Sequence, residues 1–427
     1  MTNYEKALGY LKTAASRGSI LGLERITELL KLLGEPQNKT RIIHVSGTNG
    51  KGSFGAMLTS VLKCAGYRTG GFSSPAITDV TDSFRINGTE ITREKFAEII
   101  LDIASVCESM TEKPTEFEVL TAAAYELFAR EDCDIVVVEC GMGGDLDSTN
   151  AVSSPLLSVI TNVQRDHCGF LGDTIEEIAS HKAGIIKPGR PVFFGGDSEE
   201  ALEVIRAAAE RNSSQLYTAD LSDFRIFPDS CTGLDGTVFF YKGTEIRIPL
   251  SGTYQLTNAV NVINCVEILR SQGVDIPDFA LAEGLSKVSW HGRFEVLSRQ
   301  PYVIYDGAHN PDGIREAADS IRRYFAGEKL VLLIGVMADK EYGLYSEMLG
   351  GLIDRVFAVT PDNPRSLDCI SLAETFSAAG IPAEAHPVLA DGVSAAYSYA
   401  KGKGVPLIAL GSLYMYREFM EAFRLLK

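Results

Sequence analysis

The stretch His44-Val45-Ser46-Gly47-Thr48-Asn49-Gly50-Lys51-Gly52-Ser53 decides how this chain is read. A short strand, beginning Arg41-Ile42-Ile43, leads into it, and the helix-like segment SFGAMLTSVLKCAG (53–66) leads out. Strand, glycine-rich turn and helix in that order suit a phosphate-binding loop. Glycines let the backbone approach phosphate oxygens, and the helix that follows aims its first N–H groups at them. Lys51 supplies a cation for the terminal phosphates, and Ser53 a hydroxyl at the helix start. The spacing is not the strict GxxxxGK[ST] pattern, because the lysine comes earlier and another glycine follows it. A plain glycine-rich turn is the alternative; a lysine between two glycines at a strand-to-helix junction speaks against it. Thr48, Asn49, Gly50, Lys51, Gly52 and Ser53 are the expected contacts of a nucleoside triphosphate.

Outward from this loop the pattern is that of an α/β protein. Upstream, 4–35 reads as two helices, with Tyr4, Ala7, Leu8 and Leu11 on one face and Leu23, Ile26, Leu29, Leu30 and Leu33 on another. Downstream, 115–130 is helical. DIVVVECG (134–141) is a strand whose apolar run suggests cover on both faces, as in a parallel sheet. Strands at 154–163 and 190–196 flank a helix at 175–184. The shorter alternation of 216–250 predicts antiparallel hairpins at the sheet edge. Helices are expected at 256–272 and 278–288. After 293 the α/β alternation restarts, with strands in PYVIYDGA, KLVLLIGVM, DRVFAVT and VPLIALGS, and helices at 313–324 and 342–351. The expected architecture is a mostly parallel P-loop domain, 1–290, followed by a smaller Rossmann-like α/β domain, 291–427.

The bulk numbers agree with two domains, since 427 residues exceed one ordinary core. A hydrophobic fraction of 45% with 22% charged residues is that of a soluble globular chain. The net charge of −16 argues against general nucleic-acid binding, which needs a basic face, but leaves room for a small anionic substrate held by local cations and a metal. Eight cysteines (Cys64, Cys107, Cys133, Cys140, Cys168, Cys231, Cys265 and Cys369) form no CxxC pair and read as free, buried thiols of a reducing cytosol. The N-terminus lacks a signal-peptide core and no apolar run reaches about 18 residues, so a cytoplasmic protein is expected, without a membrane.

Three further segments carry chemistry. Glu139 ends the strand DIVVVEC, and the carboxyl ends of parallel strands are where such sheets bind ligands. A carboxylate there, beside a phosphate loop, suits Mg²⁺, although a capping acid would look the same. Asp145 and Asp147 follow it. Asp166 and His167 lie just past the next strand, where His167 is as well read as a structural histidine as a ligand, and Lys182 alone would be a surface charge. YDGAHNPDG (305–313) ends the first strand of the second domain. Asp306 could accept from ribose hydroxyls and His309 could face phosphate; a βα turn capped by Asn310 and Asp312 is the alternative.

Taken together, the segments resemble the folylpolyglutamate synthase/dihydrofolate synthase family of the Mur ligase superfamily. The ordered series runs GLERI, LLGEPQ, HVSGTNGKGS, SSP (73–75), FRING (84–88), TEFEVLTAAA (115–124), VVECGMGG, LDSTN, TIEEIASHKAGIIKPGRPV, QLTNA (255–259), HGRFE (291–295), YDGAHNP and IGVMADKEY (334–342). The resemblance implies that ATP phosphorylates a carboxylate, that the amino group of L-glutamate attacks the acyl phosphate, and that an amide and phosphate result. It implies Mg²⁺ held by Ser74, Glu139 and His167, and a second ion at Lys182, which matches a family lysine that is often carbamylated by CO₂. Lys51, His167 and Lys182 are then the catalytic set. Asn258 would contact adenine, Arg293 and His309 the phosphates, and Asp306 the ribose. With nucleotide contacts in both domains, closure could assemble the site, and a monomer is expected because one chain carries them all.

Three places depart from the family pattern, each near the expected acceptor region of Ala76, Phe117 and Asp145. Ala76 replaces a histidine after SSP; Val80, Asp82 and Ser83 replace a Tyr-x-Glu-Arg; Asp145 replaces an arginine. The expected acceptor is therefore dihydropteroate, a tetrahydrofolate polyglutamate or both, with a non-folate acid as the alternative. A P-loop kinase or ATPase would not need HGR and YDGAHNP, and a non-catalytic binding protein would not need Lys51, Glu139, His167 and Lys182 together.

Overall fold

The computed structural model describes residues 1–226 and 232–426. Strand β1 (Arg41–Ser46), buried from its second residue onward, is central to a sheet that also contains β2 (Thr69–Phe72), β3 (Phe84–Ile86), β4 (Thr89–Glu90), β5 (Ile135–Glu139), β6 (Leu157–Ile160), β7 (Val192–Phe194) and β8 (Leu216–Thr218). The order is β4-β3-β2-β5-β1-β6-β7-β8. Neighbours from β2 to β8 run parallel, and β3 and β4 add an antiparallel edge. Every residue of β5 is buried, as an uninterrupted Ile-Val-Val-Val run requires. Strands added after β1 lie on both of its sides, so β1, β5 and β6 open a crevice at their carboxyl ends, the usual ligand position of such a sheet. Val45 is in register with Glu139, and Phe72 with Val138, which brings the loops after β1, β2 and β5 to one edge.

Helices cover this sheet where periodicity and caps place them. Asn3–Ala15 and Glu24–Leu32 bury Ala7, Leu11, Ile26, Leu29 and Leu30, while Leu8 faces outward. Glu116–Arg130 begins at a capping box in which Thr115 and Glu118 exchange bonds with each other's backbone, and Ile175–Ala183 repeats the device with Thr174 and Glu177.

The described chain packs as two compact units, Met1–Asp223 with Asn258–Val288, and Phe224–Thr257 with Ser289–Lys427. This differs from a division at 290/291 in that 224–257 goes with the C-terminal part, as do Ser289 and Trp290. The cause lies in specific contacts. Leu234 packs on the C-terminal core, Asp235 pairs with Arg299, and the Ser320 hydroxyl accepts from the Thr253 N–H. Here the hairpins expected at the edge of the large sheet form a sheet of their own, β9 (Phe224–Arg225), β10 (Thr232–Gly233), β11 (Gly236–Tyr241) and β12 (Thr244–Ile248), and only β8 joins the large one. The second unit also holds β13 (Glu295–Arg299), β14 (Tyr302–Tyr305), β15 (Leu330–Ile334), β16 (Ile353–Val359), β17 (Ala383–His386) and β18 (Leu407–Leu410), in the order β13-β14-β18-β15-β16-β17. All neighbours are parallel except β13 and β14. The single helix expected at 342–351 is broken into 3-10, α and 3-10 turns around its glycines.

Among the described residues no helix is long and apolar enough to cross a membrane. Seven cysteines carry free thiols, Cys64 and Cys168 of them partly exposed; Cys231 lies outside the described residues.

Candidate active site

The glycine-rich turn after β1 becomes a loop because Gly50 sits at φ 84° as the residue before the helix Lys51–Cys64. A side chain there would be strained, and its β-carbon would lie 2.6 Å from the amide oxygen of Asn258. Asn258 is thereby placed directly against the loop, as a nucleotide contact would need. The loop's shape is held from the segment after β6. Asn162 Oδ1 accepts from the N–H groups of Thr48 (3.1 Å) and Asn49 (2.8 Å). Gln164 exchanges 3.0 Å bonds with the Thr48 hydroxyl and accepts from the Asn49 amide at 3.0 Å. The Thr161 hydroxyl donates to the Asn49 carbonyl at 2.7 Å. These three supports were not picked out from the sequence. Their signal was TNVQ directly after a strand adjacent to β1, a topology the local pattern does not reveal.

Lys51 Nζ donates to the Gly47 (2.9 Å) and Thr48 (3.1 Å) carbonyls and stands 3.9 Å from Glu139 Oε1. Sequence distance is 88 residues, and the register of β1 with β5 closes it. Ser53, expected at the helix start, is the third helical residue and is buried. Ser74 follows β2 two residues beyond Phe72 and is half-buried. His167 sits at φ 53° as the residue before a short helix, Cys168–Leu171, and its N–H donates to Asp166 Oδ1 at 2.9 Å.

Lys182 is the most perturbed of the expected residues. It lies in the last turn of Ile175–Ala183 with only 3% of its surface exposed. Burial first, and then the Lys51 cation, push its ammonium down to about 7; Cys140, Asp166 and Asp147 act in the opposite sense. Burial thus favours the neutral form of its amine, the form that reacts with CO₂.

Asp147 is fully engaged inside the turn that follows Glu139. Its oxygens accept from the N–H groups of Met142 (2.9 Å) and Thr149 (3.0 Å) and from the Thr149 hydroxyl, and burial pushes its carboxyl up. His44, inside the decisive stretch but given no role from sequence, joins this network. Its Nε2 is 2.8 Å from Thr149 Oγ1 and 3.1 Å from Cys140 Sγ, and burial lowers it to about 3, so the ring is neutral. The network stiffens the turn that Glu139 opens. Asp145 is turned to His181 instead, at 2.9 Å. Phe117 stacks obliquely on Phe72 and lies over Gly141, where a β-carbon would come within 2.6 Å of its ring. Ala76 is half-buried in the loop after β2. That loop is organised by Asp82, whose carboxylate accepts from the N–H groups of Ile77 and Thr78.

In the second unit Asp306 follows β14, fully buried. It accepts from the Tyr254 hydroxyl (2.9 Å) and the Ala308 N–H (3.0 Å), and burial raises it to about 6 against the pull of the Arg293 cation. His309 Nδ1 is 2.8 Å from the Gly307 carbonyl, and Asn310 caps the helix Pro311–Tyr324 through Gly313. Glu295 holds the turn around Arg293 by accepting from the Gly292 N–H and the Tyr416 hydroxyl, each at 2.8 Å.

Among the described residues no group of three or more His, Cys, Asp and Glu side chains is gathered to hold a metal. A hard cation at the phosphate loop would take oxygens from Glu139, a hydroxyl and the phosphates, which suits Mg²⁺, with His167 as a further ligand.

The family model of the Mur ligase middle domain matches residues 45–266, and that of the Mur ligase glutamate ligase domain matches 292–412. The chain is 35% identical to a dihydrofolate synthase/folylpolyglutamate synthase of Bacillus subtilis, over 97% of each chain. It is similar to the structure of Escherichia coli FolC in complex with DHPP and ADP, with a TM-score of 0.86, 26% identity and coverage of 99% of this chain and 98% of that one. A bifunctional folylpolyglutamate synthase/dihydrofolate synthase with Mn, AMPPNP and L-glutamate bound is similar at a TM-score of 0.83 and 26% identity, over 99% and 98%. With its phosphate loop, its carboxylate at the end of β5 and both family domains in order, the chain belongs to the Mur ligase family, in its dihydrofolate synthase/folylpolyglutamate synthase branch.

Proposed function

We propose that the protein is an ATP- and Mg²⁺-dependent amide ligase that joins L-glutamate to the carboxylate of a folate-type acid. The carrying observation is the approach of Lys51 to Glu139 beside the buried amine of Lys182. Relatives in this branch hold an adenine nucleotide, Mn, L-glutamate or DHPP, which supports the same substrates here.

The acceptor carboxylate attacks the γ-phosphorus of ATP; the bond to the β-phosphate oxygen breaks and ADP leaves. The glutamate amine then adds to the acyl carbon, loses a proton, and expels phosphate. Such transfers depend on positioning and charge neutralisation more than on a protein nucleophile. In this reading the Thr48–Ser53 loop holds the phosphates and Lys51 neutralises the one transferred. Glu139, Ser74 and His167 would hold Mg²⁺, with Lys182, as its carbamate, holding a second ion. Bound there, the metal draws charge from the phosphate oxygens. Asn258, Arg293, Asp306 and His309 belong to the same proposal as nucleotide contacts, and Ala76 and Phe117 as acceptor contacts. The free thiols support placing the protein in the cytoplasm.

Phosphate release from ATP by purified protein, with glutamate and each candidate acid, tests this. Dihydropteroate or a tetrahydrofolate should stimulate turnover, and Lys51→Ala should abolish it while melting like wild type. Stimulation only by an acid without a pterin would move the protein to the non-folate reading, and no stimulation by any acid would reject the ligase.

A further inference from the structure

The turn after β5 reads Gly141-Met142-Gly143-Gly144-Asp145. Both oxygens of Asp145 lie against His181 Nδ1, at 2.9 and 3.0 Å. Its own N–H donates to the His181 carbonyl at 2.9 Å. Asn150 Nδ2 closes the junction, donating to the carbonyls of Asp145 (3.1 Å) and Gly184 (3.2 Å). The two backbones touch here: a β-carbon on Gly144 would lie 2.7 Å from the His181 carbonyl oxygen and 2.9 Å from that of Lys182. The same turn is tied to the end of β1, where the Ser46 hydroxyl donates to the Gly143 carbonyl at 2.5 Å.

We infer that Asp145 and His181 are a positioning pair, which fixes the Lys182 end of its helix against the turn after β5 and, through Ser46, against the phosphate loop. Asp145 then acts through Lys182 and not on the acceptor. A cation at 145 would face the imidazole N–H instead of accepting from it, so the aspartate and His181 belong together. The inference rests on Lys182 being part of the ligase machinery.

Both side chains are about a third exposed, at 38% and 33%, so their attraction adds little to stability. A structural role alone predicts small losses everywhere; positioning predicts a split. Asp145→Arg should lower kcat on the order of ten- to a hundredfold, with the acceptor KM and melting temperature little changed. Amide exchange at Asp145 and Gly184, both bonded to the His181 carbonyl, should quicken. Asp145→Arg with His181→Glu restores the pair with reversed polarity and should recover most of the kcat and the slow exchange. Asp145→Asn keeps an acceptor oxygen, and if the arginine variant fails to fold, Asn retaining more kcat than Asp145→Ala supports the pair. A raised acceptor KM at unchanged kcat would overturn the inference, as would a folded double variant no better than Asp145→Arg. Wild-type protein idle with every acid would instead defeat the ligase reading, leaving the exchange rates to judge the pair.

Discussion

Asp306 is a carboxyl whose surroundings oppose its charge. Burial lifts it from 3.8 to about 6, with Arg293 and hydrogen bonds from Tyr254, Ala308 and Phe294 offsetting only part of the cost. Because the folded value lies above the unfolded one, its stabilising contribution is fully present below about pH 4 and is lost as pH rises through about 6. Asp306→Asn keeps the shape and removes the titration. Between those limits, the difference in unfolding free energy should move in the variant's favour by on the order of 1–3 kcal/mol. Urea titrations of both proteins at several pH values measure it, and parallel curves would contradict the buried charge. Lys182 makes the matching prediction for a cation. If it carries a carbamate, protein stripped of CO₂ should lose turnover and regain it with bicarbonate; rates indifferent to depletion would leave the lysine unmodified. Both residues were marked in the sequence by their motifs, but their burial was not. Lys182 alone reads as a surface charge, and only the helix packing shows otherwise.

At the scale of elements, the close approach of two helices supports the phosphate loop. Gly284, in the helix Asp278–Ser286, has no room for a side chain: a β-carbon would come 2.5 Å from the Cα and 2.7 Å from the N of Val61. These are backbone atoms of the Lys51–Cys64 helix and cannot swing aside. The Ser60 hydroxyl, on that helix, donates to the Gly284 carbonyl at 2.7 Å. Helix propensity favours alanine over glycine by about 1 kcal/mol, whereas forced separation costs about 1–3 kcal/mol. Gly284→Ala should therefore destabilise, and a higher urea midpoint would show that the helices can part without strain. Elements with a strong local period, such as β5 and the helix Glu116–Arg130, were legible in the sequence. Strand β2, Thr-Gly-Gly-Phe, was not, because Gly70 is there to admit Phe128 and Val136 rather than to favour a strand. Nor were Asn162 and Gln164 legible as loop supports, since their role depends on β6 lying beside β1.

At the scale of the molecule, the two-domain α/β reading, with its division expected at 290/291, came from the restart of alternation, whereas the place of 224–257 did not. No period in that segment says which half of the chain it packs on; Asp235 with Arg299 and Thr253 with Ser320 do. This discontinuity has a consequence for how the protein is made. The segment leaves the ribosome well before 289–427, the residues that complete its unit. At about 5–20 residues per second, β9 to β12 wait on the order of ten to thirty seconds for the strands whose core Leu234 covers. Once 258–288 has followed it, the segment waits as an unpartnered insertion in a chain whose first unit already has all its residues.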